Sequence, residues 1–338
     1  DAIYVEKIAS GWKLSVAIAD PSSVIPKGSE IEKEALKRAS SLYFPGQHIS
    51  MLPEKIAGDL CSLKENALRL VKVVQIDISE AGDILDYKIV EAVIKSQKKF
   101  SYSELSHHYD TPSSDISPTL NAMLIELKQL TRALLSSRQK NALVQADRKE
   151  FYFELDDQQK ISDIKTKITT PAHKIVEEAM VVTNRCIADF LAKQAVPSIF
   201  VTHQGLRNDR VETVNKVLTE SLSDYTPDTI TELNGFIKTM QTVSKTDELK
   251  PLHLLISRQL DKSNLSSDAS PHFGMGLQQY TTFTSPLRKA QDYLIHRQIS
   301  GLLQGKKDVI DNSRLAKLSE ATQAIRNAVN DAEQWLKC

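Results

Sequence analysis

The spacing of apolar residues changes along this chain, and that change limits the folds available to it. Residues 11–20 alternate apolar and more polar side chains, as a strand buried on one face does. Residues 68–79 and 83–96 are also strand-like, and Ala81-Gly82 between them is typical of a hairpin turn. After Pro118 the apolar residues recur at helical spacing. We therefore expect strands first, helices later, and an α+β fold.

Helix ends are marked by their own residue types. Ser29 and Glu32 have capping-box spacing, and Pro118 opens a long amphipathic helix. Further helices are predicted at 173–193, 209–221, 228–243, 247–262 and 313–336. Short strands are predicted in "FYFEL", "KISDIKTKI" and "SIFVTH". Length alone would allow two domains, but no low-complexity linker or internal repeat divides the chain, so we expect one domain over residues 1–338.

Composition excludes several classes of protein. The chain has 43 basic and 43 acidic residues, so no global positive field indicates nucleic acid, and any polyanion site must be local. No apolar run approaches the ~20 residues of a membrane helix. Three widely separated cysteines offer no disulfide framework, and they fit a reducing cytoplasm: Cys61, Cys186 and Cys338.

Residues 271–297, "PHFGMGLQQYTTFTSPLRKAQDYLIHR", carry the strongest indication of chemistry. Ser285-Pro286 is a good helix start, so we expect a helix from Pro286. Its free amides would lie beside the hydroxyls of Thr284 and Ser285 and the guanidinium of Arg288, which can grip phosphate oxygens. This arrangement predicts a phosphate cradle.

Arg288, Asp292 and His296 recur every four residues, so on one helix they would share a face. Asp292 could then hold Arg288 in place. An ordinary surface ion pair explains the same spacing, and on spacing alone it is the better explanation. Gly274 and Gly276 could equally supply turn geometry only.

The same segment resembles the signature of the ribonuclease II/ribonuclease R family of exoribonucleases, which runs approximately H-F-G-L-G-x-x-x-Y-T-x-F-T-S-P-I-R-[RK]-Y-x-D-x-x-x-H-R. Other family-like blocks follow in the family's order, so the resemblance covers essentially the whole chain. These blocks are "VAIADPSSVIPKGS", "YFPGQHISMLP", "DLCSLKENALR", "IKSQKKFSY" and "IVEEAMVVTNRCIA". The wording "VAIADP" is more similar to the ribonuclease II branch.

The resemblance implies an RNB-type catalytic domain, with a mixed β-sheet around an RNA channel and helices outside. It implies hydrolysis of single-stranded RNA from the 3′ end to nucleoside 5′-monophosphates. The reaction would use one or two Mg²⁺ ions, which Mn²⁺ could replace. The family's metal motif is D-x-x-x-x-x-D-x-D-D-A, and Asp1 matches its last aspartate, as a catalytic and metal-binding residue. The rest of that motif, N-terminal OB-type domains and a C-terminal OB-fold domain are expected outside this chain. We expect a cytoplasmic monomer that binds neither DNA nor membranes.

Family roles can be carried over to individual residues. Arg288 matches the arginine that offsets charge at the scissile phosphate, with Thr284 and Ser285 beside it and Asp292 orienting it. Tyr43 and Tyr102 match positions that stack on RNA bases, although half-buried structural aromatics would look the same. Glu177 matches an acid that meets a ribose 2′-hydroxyl, or it is a plain surface glutamate. His296 and Arg297 are expected to be structural.

Two departures from the family pattern qualify these expectations. Ala290 stands where many relatives have tyrosine, and Gln145 stands where a stacking phenylalanine is expected. A rival hypothesis is therefore a non-catalytic RNA-binding or regulatory protein that keeps the fold without the metal cluster. Covalent hydrolases and nucleotide triphosphatases are poorly supported, since neither a G-x-S-x-G nor a G-x-x-x-x-G-K-S/T motif occurs.

Overall fold

A computed structural model describes residues 1–44, 46–113, 115–144, 150–158, 160–227, 229–245, 247–307 and 309–337. Gln145, one of the two departures above, lies outside these residues. Within them, no helix has the length and apolar composition needed to cross a membrane.

Four strands form the main sheet, in the order β1-β2-β5-β6: β1 (Ala2–Ile8), β2 (Gly11–Ala19), β5 (Leu68–Ser79) and β6 (Ile84–Lys95). Three small pairs complete the strands of the described residues: β3 (Leu42–Phe44) with β4 (Gln47–Ile49), β7 (Glu150–Leu155) with β8 (Ile161–Lys167), and β9 (Phe200–Thr202) with β10 (Asn264–Ser266). The expected α+β class is confirmed, with the refinement that these pairings are all antiparallel.

The burial of β2 and the geometry of the β5–β6 turn agree with the strands predicted from the sequence. The alternating residues of β2 point into the core, where Leu14, Val16 and Ile18 are buried. The predicted hairpin is confirmed, and Gly82 in its turn has a φ of +86°. A Cβ at Gly82 would lie 2.1 Å from the carbonyl oxygen of Ala133, so only glycine fits this turn.

The described helices are α1 (Glu30–Arg38), α2 (Tyr102–Asp110), α3 (Pro118–Asn141), α4 (Pro171–Lys193), α5 (Val211–Ser221), α6 (Leu233–Ser244), α7 (Lys250–Arg258), α8 (Ala290–Leu303) and α9 (Asn312–Lys337). Ser29 caps α1 as predicted, with its hydroxyl accepting from the amide of Glu32. Sequence reasoning missed α2, although Ser101 and Glu104 form a complete capping box at its start.

The main hydrophobic cluster lies where the sheet meets α3, α4, α8 and α9. Helix α4 contacts both β2 and β5 and buries most of its length, so it forms the centre of this packing. A second cluster joins α5, α6 and α7. The segment before α8 contributes Phe273 to the second cluster and Phe283 to the main one.

Candidate active site

Residues 281–289, here called the Arg288 loop, end in a turn and not in the predicted helix. The amides of Arg288 and Lys289 both donate to the carbonyl of Ser285, at 3.1 and 3.0 Å. Lys289 is extended, and α8 begins at Ala290, whose amide donates to the carbonyl of Ala39 at 2.8 Å. The prediction of a helix from Pro286 is therefore wrong, because a bridge to the end of α1 takes the amide that would have continued the helix. The predicted phosphate cradle of free helix amides at Ser285 is therefore also wrong.

Asp292 supports this loop in a different way from the one expected. Its buried carboxylate accepts hydrogen bonds from the Thr282 hydroxyl at 2.7 Å and the Ser285 amide at 2.9 Å. Both residues are described, and no ion pair joins Asp292 to Arg288. Arg288 precedes α8, so it does not lie on the helix face that carries Asp292. Asp292 therefore fixes the backbone that carries Arg288, and the direct contact predicted from spacing is wrong.

Two further elements fix the same backbone from below. Asn184, on α4, accepts from the amide of Phe283 at 2.9 Å and donates to the hydroxyl of Tyr280 at 3.0 Å. The Nε2 of His296, on α8, donates to the carbonyl of Phe283 at 3.0 Å. The loop is thus held by side chains that are themselves buried. Nothing in the local sequence around Asn184 indicates this role.

His296 also belongs to a buried group of charges, here called the Asp20 network. The Nζ of Lys72 lies 2.5 Å from Oδ2 of Asp20, and Nδ1 of His296 lies 3.4 Å from Oδ1. Burial alone would raise the pKa of Asp20, but hydrogen bonds and charge from His296 and Lys72 outweigh it and hold the pKa well below its usual range. Burial lowers the pKa of His296. The expectation of a structural histidine beneath the helix agrees with this position.

A cavity of about 340 Å³ opens beside the Arg288 loop. It brings together five predicted site residues from distant parts of the chain: Asp1, Tyr43, Thr284, Ser285 and Arg288. The carbonyl of Arg288 accepts from the Ser41 amide at 3.0 Å and the Ser40 hydroxyl at 3.1 Å. These bonds tie the loop to the segment that carries Tyr43, which explains why the two lie together.

Sequence reasoning missed the other wall of this cavity. A π-helical turn at Lys55–Leu60 lines it, together with Glu54 just before the turn. π-Helical turns are rare and often occur at functional sites. Gly58 leaves room for the Glu54 carboxylate, since a Cβ there would lie 1.9 Å from Oε1. The one available signal was a glycine inside an otherwise helical stretch.

The described residues do not by themselves form a complete metal site. Two carboxylates line the cavity within the described part of the chain, Asp1 and Glu54. Nowhere among the described residues do three His, Cys, Asp or Glu side chains gather as metal ligands would. Asp1 remains a predicted ligand that would need further carboxylates to hold Mg²⁺.

Tyr102 and Glu177 lie away from the cavity, on what we call the α2–α4 surface (Tyr102, His173 and Glu177). The ring of Tyr102 stacks on His173, with centroids 3.9 Å apart. Glu177 pairs with Arg138 at 2.8 Å and Lys174 at 2.9 Å. Burial opposes the shift, but these two cations lower the pKa of Glu177. This surface carries a carboxylate and an exposed ring, with the cations of Arg138 and Lys174 beside them, a combination suited to a nucleic-acid strand.

Arg138 also pairs with Glu178, the neighbour of Glu177 on α4, at 2.7 Å. Glu178 is buried, and burial raises its pKa even though Arg138 opposes the shift. One guanidinium therefore bridges a partly exposed carboxylate and a buried one. The exposed partner, Glu177, is the one that a ligand could reach.

The fold and this loop define an RNB domain, and the family model for that domain matches residues 1–305. The chain belongs to the RNB family. Curated relatives include exoribonuclease 2 of Actinobacillus pleuropneumoniae, 33% identical over 356 residues, and exoribonuclease 2 of Haemophilus influenzae, 34% identical over 358 residues. The alignments cover 99% and 100% of this chain but 54% of each relative, so the chain spans about half their length.

Solved structures agree with the assignment. RNase R of Mycoplasma genitalium in complex with ribose-methylated single-stranded RNA is 26% identical, with a TM-score of 0.87 over 100% of this chain and 55% of that one. The same protein with double-stranded RNA gives 27% and 0.88, over 100% and 62%. Yeast Ssd1, described as a pseudonuclease, shares the fold at 18% identity, with a TM-score of 0.71 over 94% and 39%. The expected family is thereby confirmed.

Proposed function

We propose that this chain is the catalytic part of a hydrolytic exoribonuclease that degrades single-stranded RNA from the 3′ end and releases nucleoside 5′-monophosphates. One observation carries the proposal: Asp1, Tyr43 and the segment with Thr284, Ser285 and Arg288 line a single cavity, although these three parts of the chain are far apart in sequence. Family membership and the exoribonuclease 2 relatives support it.

Arg288 is the residue that we expect to contribute most to the reaction. It is exposed, and no described carboxylate pairs with it, so its planar fork of N–H donors is available to phosphate oxygens. Its backbone is fixed through Ser285 and Ser41, so the guanidinium starts from a fixed point. Charge that develops on the scissile phosphate would be stabilised there. The half-buried Thr284 and Ser285 would offer hydroxyl donors to the same oxygens.

The exposed tyrosines would hold the bases. The residue exposure of Tyr43 is 59% and that of Tyr102 is 46%, which is high for aromatic residues. Stacking on a ring tolerates every base, as degradation without sequence preference requires. Glu177 would accept a hydrogen bond from a ribose 2′-hydroxyl and so favour RNA over DNA.

The family's chemistry needs a divalent cation, and we propose Mg²⁺, with Mn²⁺ able to replace it. Such an ion would supply an activated water and neutralise the leaving oxygen. Asp1 would be one of its ligands within this chain. We further propose that the protein is cytoplasmic and monomeric.

The test is a time course on 5′-labelled single-stranded RNA with the full-length gene product that contains this chain. Products are resolved at single-nucleotide resolution, with Mg²⁺ and with a chelator. We expect a metal-dependent ladder that shortens from the 3′ end, release of 5′-monophosphates, and no digestion of a DNA oligonucleotide of the same sequence. RNA that is bound but stays intact with Mg²⁺ would refute the proposal and favour the non-catalytic RNA-binding protein.

A further inference from the structure

Each tyrosine assigned to base stacking already stacks on a histidine of this chain. The rings of Tyr43 and His48 lie 4.9 Å apart with 19° between their planes. Those of Tyr102 and His173 lie 3.9 Å apart with 12° between their planes. The two pairs are formed by different elements, so the same arrangement has arisen twice in the molecule.

The first pair is fixed by strand pairing. Tyr43 on β3 and His48 on β4 are directly opposite in the antiparallel register. Side chains at such positions share one face of the sheet and contact each other. Both residues also line the cavity that contains Arg288, so this stack forms part of the cavity wall.

The second pair is fixed by two capped helix starts. Tyr102 is the first residue of α2, directly after the capping box of Ser101. His173 lies in the first turn of α4, where its Nδ1 accepts from the Thr170 amide at 3.2 Å and lies 2.8 Å from the Thr170 hydroxyl. The imidazole ring therefore has a fixed orientation before any ligand arrives.

We propose that His48 and His173 are positioning residues for RNA binding. Each covers one face of its tyrosine and leaves the opposite face for a nucleobase, so that base, tyrosine and histidine form a three-layer stack. This role depends on the RNA binding proposed above. The histidines need not touch the RNA, because they act by ordering the tyrosine rings before the RNA binds.

The expected size follows from the cost of ordering a side chain on binding. A free tyrosine ring loses rotational freedom when a base stacks on it, whereas a ring already stacked on histidine has lost most of it. Removing the histidine should therefore weaken RNA binding by about threefold to tenfold at each site. Replacing histidine by phenylalanine should restore most of the affinity, because another flat ring keeps the stack.

The experiment measures the Kd of a fluorescent oligoadenylate for the full-length protein in chelator, so that binding is separated from cleavage. The variants are His48→Ala, His173→Ala, the two phenylalanine replacements, Tyr43→Ala, Tyr102→Ala, and the Tyr→Ala/His→Ala doubles. His107→Ala is the matched control, since His107 is an exposed histidine of α2 and takes part in none of the ring stacks described here. Thermal unfolding confirms that each variant folds.

Support requires that each alanine variant weakens binding, that phenylalanine rescues it, and that the double variant binds no more weakly than the tyrosine variant alone. Additive losses, or histidine variants with wild-type affinity, would overturn the inference while leaving the proposed exoribonuclease intact. If the wild-type protein does not bind RNA at all, both the positioning role of the histidines and the proposed exoribonuclease are overturned. The ring-proton NMR shifts of Tyr102, compared between wild type and His173→Ala without RNA, distinguish the causes: unchanged shifts mean that the stack itself is absent in solution.

Discussion

The Arg288 loop and the α2–α4 surface both carry residues predicted to bind RNA, yet they are held in place by different means. The loop is fixed from beneath by Asp292, Asn184 and His296, which are buried and contributed by two helices. The α2–α4 surface is held by its own neighbours, through a ring stack and ion pairs that are partly in contact with solvent. Buried hydrogen-bonded groups are costly to disturb, whereas exposed pairs contribute little. Substitution of buried residues that do not touch the ligand should therefore change the conformation of the Arg288 loop and leave that of the α2–α4 surface unchanged.

The largest expected effect is on folding, from Asp20→Ala in the Asp20 network. Removing this carboxylate leaves Lys72 buried without its closest counter-charge, and breaking a buried ion pair costs about 3–5 kcal/mol. Chemical denaturation should show a loss of this order. Asp59→Ala is the matched control, because Asp59 pairs with Lys64 at an exposed position and should change stability little. A stable Asp20→Ala protein would contradict the buried network.

The Asp20 network should also make the stability of the protein depend on pH in acid. The folded-state pKa of Asp20 lies below its value in the unfolded chain, which is about 3.9. Its contribution is therefore fully present above that pH and is lost as the pH falls below it. Asp20→Asn should flatten this part of the stability profile, as measured by denaturation between pH 5 and the acid limit of folding. An unchanged slope would show that other carboxylates cause the acid unfolding.

Arg288→Ala should cause the next largest effect, on the reaction and not on stability. Loss of one donor to a developing negative charge slows catalysis by about 100-fold to 1,000-fold. Its exposed guanidinium has no described carboxylate partner, so the melting temperature should hardly change. Single-turnover degradation measures the rate, and Arg288→Lys tests the need for a fork of donors beyond charge alone. A rate near wild type in the alanine variant would remove Arg288 from the proposed site.

Local patterns predicted much of the main sheet, the start of α1 and the helix α4, whereas α2 was missed. Period-two spacing gave β2 and the β5–β6 hairpin, and the capping residue Ser29 gave the start of α1. These signals act between residues that are near in sequence. Family resemblance, and not periodicity, brought Tyr43, Arg288 and Asp1 together.

Other failures have the opposite cause, since they depend on contacts between distant residues. The missed α2 is an exception, because its capping box of Ser101 and Glu104 is a local signal. Ser285-Pro286 is a sound local signal for a helix, but the bond from Ala290 to Ala39 delays the start of α8. Tyr102 and His173 are 71 positions apart, and no spacing rule relates them. Lys72 lies in the part of β5 that is buried on both faces, residues 71–74, where alternation does not show which polar residue is paired.

Asp292→Asn should have a smaller effect that tests the support beneath the Arg288 loop. One of the two side-chain oxygens becomes an NH₂ group. The remaining oxygen can accept from Thr282 or from Ser285, and the NH₂ group cannot accept from the other. Leaving one of these partly buried donors unsatisfied should cost up to about 3 kcal/mol, the upper figure for a fully buried donor. Hydrogen exchange at the Ser285 amide should speed up, and degradation should slow in parallel. Thr282→Val removes the bond from residue 282 but keeps the one from the Ser285 amide, so hydrogen exchange at that amide should stay close to wild type.

Glu177→Gln on the α2–α4 surface should change stability only slightly. The side-chain exposure of Glu177 is 38%, so solvent screens its ion pairs and its removal should change the free energy of unfolding by about 0–1 kcal/mol. Its effect should appear in selectivity: a carboxylate that meets the 2′-hydroxyl favours RNA, so the ratio of RNA to DNA affinity should fall.

Glu178→Gln provides the matched contrast, because the same guanidinium of Arg138 contacts both carboxylates. Glu178 is buried, so its replacement should lower stability more than Glu177→Gln does, while the RNA-to-DNA ratio stays unchanged. Equal effects of the two variants on selectivity would mean that the charge of the Arg138 group matters as a whole. In that case, Glu177 would be a structural partner of Arg138, and the α2–α4 surface would bind RNA through Tyr102 alone.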